Sequence, residues 1–122
     1  MAWNWLHALW VPIAFRFAPV SLGFHSLRGL VRQLGVDPNR IPNSALRELA
    51  ADAYKTSQSD ARLRDQSHFV CFGEWLEGYA AQIVAGFQPY QEFDPSHKLK
   101  RRYQALEILR RHGMRLPIDE GQ

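Results

Sequence analysis

Hydrophobic residues in this chain recur at steps of three and four, which is the spacing of one face of an α-helix. The longest such run lies mid-chain, at residues 67–87, and reads SHFVCFGEWLEGYAAQIVAGF. Its apolar positions are Phe69, Phe72, Leu76, Tyr79, Ala80, Ile83 and Phe87. A helix of this length spans roughly 30 Å, about the width of a small domain. The pattern therefore predicts a central helix around which the other segments pack.

Two further helices are predicted on the amino-terminal side of this run. One, near residues 22–34, would begin after Ser21, a residue type that favours the N-cap, and end before Gly35 in a left-handed conformation. The other, near residues 44–57, follows a connector with two prolines and carries an alanine-rich stripe. The polar residues 56–65 lack a stripe, so we expect a loop or a frayed helix end there, with a solvated continuation of the helix as the alternative.

The last predicted helix, at residues 95–112, has the clearest boundaries. Asp94 followed by Pro95 is typical of an N-cap and first helical residue, and Gly113 is typical of a helix end. No segment alternates with the period of two that a half-buried strand requires. The predicted fold class is therefore all-α, a small four-helix domain preceded by an aromatic arm.

Aromatic residues are concentrated in the first 24 positions, at Trp3, Trp5, Trp10, Phe15, Phe17 and Phe24. A transmembrane helix requires about 20 apolar residues with few charges, and Pro12, Arg16 and Pro19 interrupt this stretch. An acid-poor, arginine-containing targeting presequence is one alternative. Trp and Phe beside sparse Arg are typical of an arm that lies at a membrane interface or in a partner's groove. We predict that residues 1–20 are such an arm, able to include a short interfacial helix, and that residues 21–122 form a single helical domain. Folding of the arm over its own core is the remaining alternative.

The composition suits one folded domain. The chain has 122 residues, 46% of them hydrophobic and 12% aromatic, which argues against global disorder. Its single cysteine, Cys71, excludes a disulfide within the chain. We therefore expect an intracellular, reducing compartment or an organelle interior, with a membrane surface left open.

Charge is segregated along the sequence. Residues 1–36 carry three arginines and no acidic residue, residues 65–97 carry five acidic residues and no Lys or Arg, and residues 98–115 carry seven Lys or Arg against Glu107. Segregation of this kind favours docking, although chance placement on helix surfaces would give the same picture. The predicted contacts to an anionic partner are Lys98, Lys100, Arg101, Arg102, Arg110 and Arg111. Cations near a helix amino terminus oppose its dipole, so helix stability does not explain Lys98, Lys100, Arg101 and Arg102.

The central helix also carries Glu74 and Glu77 within the acidic block. We expect this helix to pack by its Phe69-to-Phe87 face and to present an acidic surface by the other. That surface would meet residues 98–111 of the same chain or a basic patch on a partner.

The sequence offers only weak evidence for a metal site or a catalytic site. Asp65, His68 and Cys71 are spaced by three, but three consecutive helical turns spread them over about 9 Å, too far for one metal ion. Cys71 with a histidine is formally a nucleophile and base pair, yet a thiol inside an apolar helix is expected to be buried and inert. No nucleophile elbow, phosphate-binding loop, dinucleotide fingerprint or HExxH motif is present. We therefore predict no catalytic residue, no metal and no cofactor.

These observations predict a non-catalytic accessory subunit of a larger assembly, with protein subunits as partners and a membrane interface as a further contact. The predicted partner or membrane contacts are Trp3, Trp5, Trp10, Phe15, Phe17 and Trp75. Trp75 lies off the main stripe, so it is either a second core contact or an interface anchor. The alternative is a ribosomal or nucleoid-type protein that binds the phosphate backbone through residues 98–111 without reading sequence. A small enzyme or metal-binding protein using Cys71 and His68 is the third choice.

Overall fold

The computed structural model describes residues 15–88 and 102–120, and every regular element in these ranges is helical. The elements in chain order are α1 (Pro19–Gln33), a 3₁₀ turn (Pro38–Arg40), α2 (Asn43–Arg64), α3 (His68–Phe87), α4 (Arg102–Arg111) and α5 (Pro117–Glu120). Residues 15–17 are also helical. The predicted all-α class with four main helices is confirmed.

Helix α3 lies at the centre of the fold and packs against α1, α2, α4 and α5. Every residue from Gly78 to Phe87 is buried, so the second half of α3 has no solvent face. Fully buried side chains from the other helices surround it, among them Leu27, Val31, Leu46, Leu49, Leu106, Leu109 and Leu116. The sequence predicted one packed face and one acidic face for this helix, and that description holds only for its first half.

Helix α1 begins earlier than its sequence suggested. Its first residue is Pro19, at a position that needs no N–H donor, and Ala18 stands before it. Ser21 therefore lies inside the helix and does not cap it. The predicted ending is correct, because Gly35 has φ of 102° and the Val36 amide donates to the Val31 carbonyl at 3.1 Å.

Helix α2 is longer than predicted and continues through the polar segment to Arg64. Small side chains hold this extension against the core, because Ser57 and Ala61 are buried one and two turns after the buried Ala53. The helix ends at Asp65, a non-glycine residue with φ of 51°. The expected loop at residues 56–65 is therefore wrong.

Helix α4 is described from Arg102 onward, and Asp94 and Pro95 lie outside the described residues. Its predicted end is correct: Gly113 has φ of 84°, and the Met114 amide donates to the Leu109 carbonyl at 3.2 Å. The chain then returns to the core at Leu116, which is fully buried, and the short α5 follows.

Candidate interaction surface

An open groove of about 610 Å³ lies between α1 and the first half of α3. The α1 wall is built by Leu22, Ser26, Gly29, Leu30 and Gln33, and the α3 wall by Phe69, Val70, Phe72, Gly73, Glu74, Leu76 and Glu77. We call this feature the α1–α3 groove. Its lining is mostly apolar.

Two apolar side chains at the groove remain exposed to solvent. Phe69 is 41% exposed and Val70 is 49% exposed. The sequence placed Phe69 on the core face with Phe72, and this prediction is wrong. Phe72 is buried between the helices, whereas Phe69 stands one turn earlier, where α1 is separated from α3 by the groove.

The glycines of α1 and α3 fall into two groups. A Cβ added at Gly23 would lie 2.7 Å from the Phe72 ring, and one added at Gly86 would lie 2.6 Å from Leu106. These two glycines are explained by close packing. A Cβ added at Gly29 or Gly73 would meet no atom of residues 15–88 or 102–120 within 4 Å, and both of these glycines line the groove.

The charge of the groove is negative. Glu74 and Glu77 line it, and no Lys, Arg or His among the described residues does. Glu74 accepts a hydrogen bond from Arg64 Nη1 at 2.8 Å, and the same nitrogen lies 3.3 Å from Asp60. The hydrogen bond that Arg64 donates to Glu74 is the main cause that raises the pKa of Arg64, and its hydrogen bond to Asp60 is the second. Glu77 is exposed, and within the described part of the chain it has no ion-pair partner.

The predicted aromatic contacts occupy different environments. Phe15 is half-buried and lies at 5.2 Å, ring centre to ring centre, from Phe69, with edge-to-face geometry. Phe17 is 77% exposed, with the Arg16 guanidinium 5.8 Å from its ring. Trp75 is 9% exposed and belongs to the core, where its indole N–H donates to Asp60 Oδ2 at 3.2 Å. Trp3, Trp5 and Trp10 lie outside the described residues.

Two of the predicted anion contacts are already bound to carboxylates of the same chain. Arg110 donates two hydrogen bonds to Asp119, at 3.1 and 2.7 Å, and Arg111 lies 2.6 Å from Glu48. The bond from Arg110 lowers the pKa of Asp119. Arg102 is the first residue of α4, and Lys98, Lys100 and Arg101 lie outside the described residues.

A cluster that the sequence analysis missed connects α2 to the end of α4. His112 Nδ1 lies 3.1 Å from Ser44 Oγ, and its Nε2 lies 3.0 Å from Glu48 Oε1. The hydrogen bond with His112 is the main cause that lowers the pKa of Glu48. A Ser–His–carboxylate row can activate a nucleophile, but Glu48 also binds Arg111, and the row spans two helix ends. We interpret it as a set of polar contacts that joins α2 to the end of α4. The only sequence signal was the spacing of Ser44 and Glu48, one helical turn apart.

Cys71 and His68, the residues of the enzyme or metal-binding hypothesis, are part of the packing between the helices. Cys71 is fully buried, and His68 Nε2 lies 2.9 Å from Ser57 Oγ and 3.1 Å from the Tyr54 carbonyl. Within residues 15–88 and 102–120, no group of three His, Cys, Asp or Glu side chains is placed to hold a metal ion. No helix in these ranges is both long enough and apolar enough to cross a membrane.

Comparison with known proteins does not extend this picture: no family model, no curated protein and no solved structure matches the chain.

Proposed function

We propose that this chain is a non-catalytic accessory subunit of a larger assembly and that its helical domain binds a partner protein through the α1–α3 groove. The observation that carries the proposal is the exposure of Phe69 and Val70 in a concave, mostly apolar surface. Concave apolar surfaces rimmed by polar groups are typical of binding sites. A partner that covered this groove would remove both side chains from water, which favours association.

The amino-terminal arm is proposed as a second contact. Phe15 touches Phe69 at the groove, and Phe17 beside it is exposed. A partner seated in the groove would therefore lie close to the point where the arm joins the domain. The predicted contacts of Trp3, Trp5 and Trp10 with a partner or a membrane interface remain predictions.

The nucleic-acid alternative is less favoured by the described residues. Arg110 and Arg111 each bind a carboxylate of the same chain, so a phosphate would have to compete with Asp119 and Glu48. This alternative consequently depends on Lys98, Lys100, Arg101 and Arg102. Binding of the isolated chain to RNA or DNA with a steep log–log dependence on salt would support it.

Side-chain footprinting tests the proposed function. The chain is labelled with a carbene reagent once in isolation and once in the assembly purified from its natural source. We expect Phe69 and Val70 to be labelled less in the assembly than in isolation. Leu63 is the matched control, because it is 87% exposed and does not line the groove.

Equal labelling of Phe69 and Val70 in the two samples would contradict binding through the groove. Migration of the natively purified chain as a free monomer would contradict the accessory-subunit role itself.

A further inference from the structure

We infer that the α1–α3 groove receives one α-helix of a partner protein, with its backbone against Gly29 and Gly73 and a Lys or Arg side chain opposite Glu77. This inference rests on the proposed function and specifies the chemistry of the partner.

The first support is the placement of the two glycines. A glycine inside a helix costs about 1 kcal/mol relative to alanine. Gly23 and Gly86 are required by neighbouring side chains, but Gly29 and Gly73 have open space where a Cβ would stand. Packing inside the described domain therefore does not account for these two. Their shared property is that they face the same groove from opposite walls, where the missing side chains let another backbone come close.

The second support is the shape of the groove. Its α1 wall runs from Leu22 to Gln33 with lining residues three or four apart, a length of roughly 16 Å. That length matches about three turns of a partner helix. Both walls are helices, and a third helix can set its ridge of side chains between them. Helix-in-groove recognition uses apolar anchors at the same spacing.

The third support is charge. The described lining of the groove contains Glu74 and Glu77 and no cationic side chain. Arg64 already binds Glu74, whereas Glu77 has no ion-pair partner within the described residues. A Lys or Arg of the incoming helix would complement Glu77 and fix the direction and register in which that helix binds.

Site-specific photo-crosslinking tests the inference in the full chain. Ser26, on the α1 wall, is replaced by p-benzoylphenylalanine in the natural host, and the crosslinked peptide is sequenced by mass spectrometry. The same replacement at Leu63 is the control. We expect Ser26 to crosslink to a segment of another protein with apolar residues at helical spacing and at least one Lys or Arg.

Three results would overturn the inference. A crosslink to an extended or acidic segment of another protein would reject the basic helix but leave the proposed function intact. A crosslink to residues 1–14 of the same chain, or to a second copy identified by isotope mixing, would reject both. The absence of any crosslink specific to Ser26 would also reject both.

The crosslinked peptide is then synthesised, and its affinity is measured by fluorescence anisotropy. Glu77→Lys is expected to weaken binding roughly threefold or more at low salt, with Glu107→Lys as a charge-matched control outside the groove. Gly73→Leu is expected to weaken it at least about tenfold by filling the groove from its α3 wall. Circular dichroism checks that both variants stay folded. Unchanged affinity in both would overturn the inference.

Discussion

Glycine and alanine side chains control how closely the helices approach one another. A Cβ added at Gly23 would lie 2.7 Å from the Phe72 ring and 3.0 Å from the Ala50 Cβ, whereas one added at Gly29, in the same helix, would meet no described residue. The sequence shows both as helix-interior glycines, and nothing local distinguishes them. Only the neighbouring helices, which are remote in sequence, separate a glycine required by packing from one that keeps a groove open.

This difference predicts opposite effects of one substitution. Gly29→Ala should raise the free energy of unfolding by about 1 kcal/mol, because it removes backbone entropy from the unfolded chain without a clash. Gly23→Ala gains the same entropy but must displace Phe72, so it should lower stability by about 1–2 kcal/mol net. Urea denaturation measures both. Equal shifts would show that the space around the two glycines is the same.

Glu48 predicts a pH-dependent contribution to stability. Its hydrogen bond with His112 holds its pKa below the ordinary value of 4.5, so the ionised form is favoured in the folded state. The stabilisation is complete above that value and disappears as the pH falls through the lower, folded-state pKa. Glu48→Gln should therefore be less stable than the wild type near neutral pH, by up to roughly 1 kcal/mol, since the site is partly exposed.

The measurement is urea denaturation of both proteins at about pH 7 and about pH 3, and the difference between them should shrink at the lower pH. A difference that stayed constant with pH would contradict the role of the ionised carboxylate.

Helix ends marked by a glycine were easier to predict than helix contacts. Gly35 and Gly113 end their helices as expected, because the left-handed conformation is a local requirement. The extension of α2 was missed because its buried row consists of small residues, Ser57 and Ala61, which carry little hydropathy signal. The exposure of Phe69 could not be predicted either, since it depends on where α1 lies and not on the period of α3.

The attachment of α5 predicts unequal effects of two substitutions. Leu116 is fully buried before this helix, whereas Asp119 is held by a surface ion pair with Arg110. Leu116→Ala should lower the free energy of unfolding by about 2–5 kcal/mol. Asp119→Asn should leave global stability nearly unchanged and speed amide exchange only in residues 114–120.

Thermal denaturation measures the global stability of both variants, and hydrogen-exchange mass spectrometry measures amide exchange in residues 114–120. Comparable losses of global stability in both variants would show that the ion pair, and not the buried leucine, fixes this end of the chain.

In the whole domain, the charge blocks seen in the sequence are partly used within the chain. Glu48 binds Arg111, and Arg110 binds Asp119, so carboxylates of α2 and α5 meet the arginines of α4. The sequence predicted that the acidic surface of α3 would meet either the basic segment or a partner's basic patch, whereas Arg110 and Arg111 bind carboxylates of α5 and α2. The pairing depends on which helix faces α4, which a one-dimensional charge pattern does not contain.

The complete burial of Gly78–Phe87 also determines how this chain can vary. Along the first half of α3, packing within the domain should restrict the side chain only at every third or fourth position, as in an ordinary surface helix. From Gly78 onward this periodic tolerance should vanish, because each of ten consecutive residues is enclosed by a neighbouring helix. Related chains would therefore vary at the groove end of α3 as far as the bound partner allows, and keep volume and polarity nearly fixed at its other end.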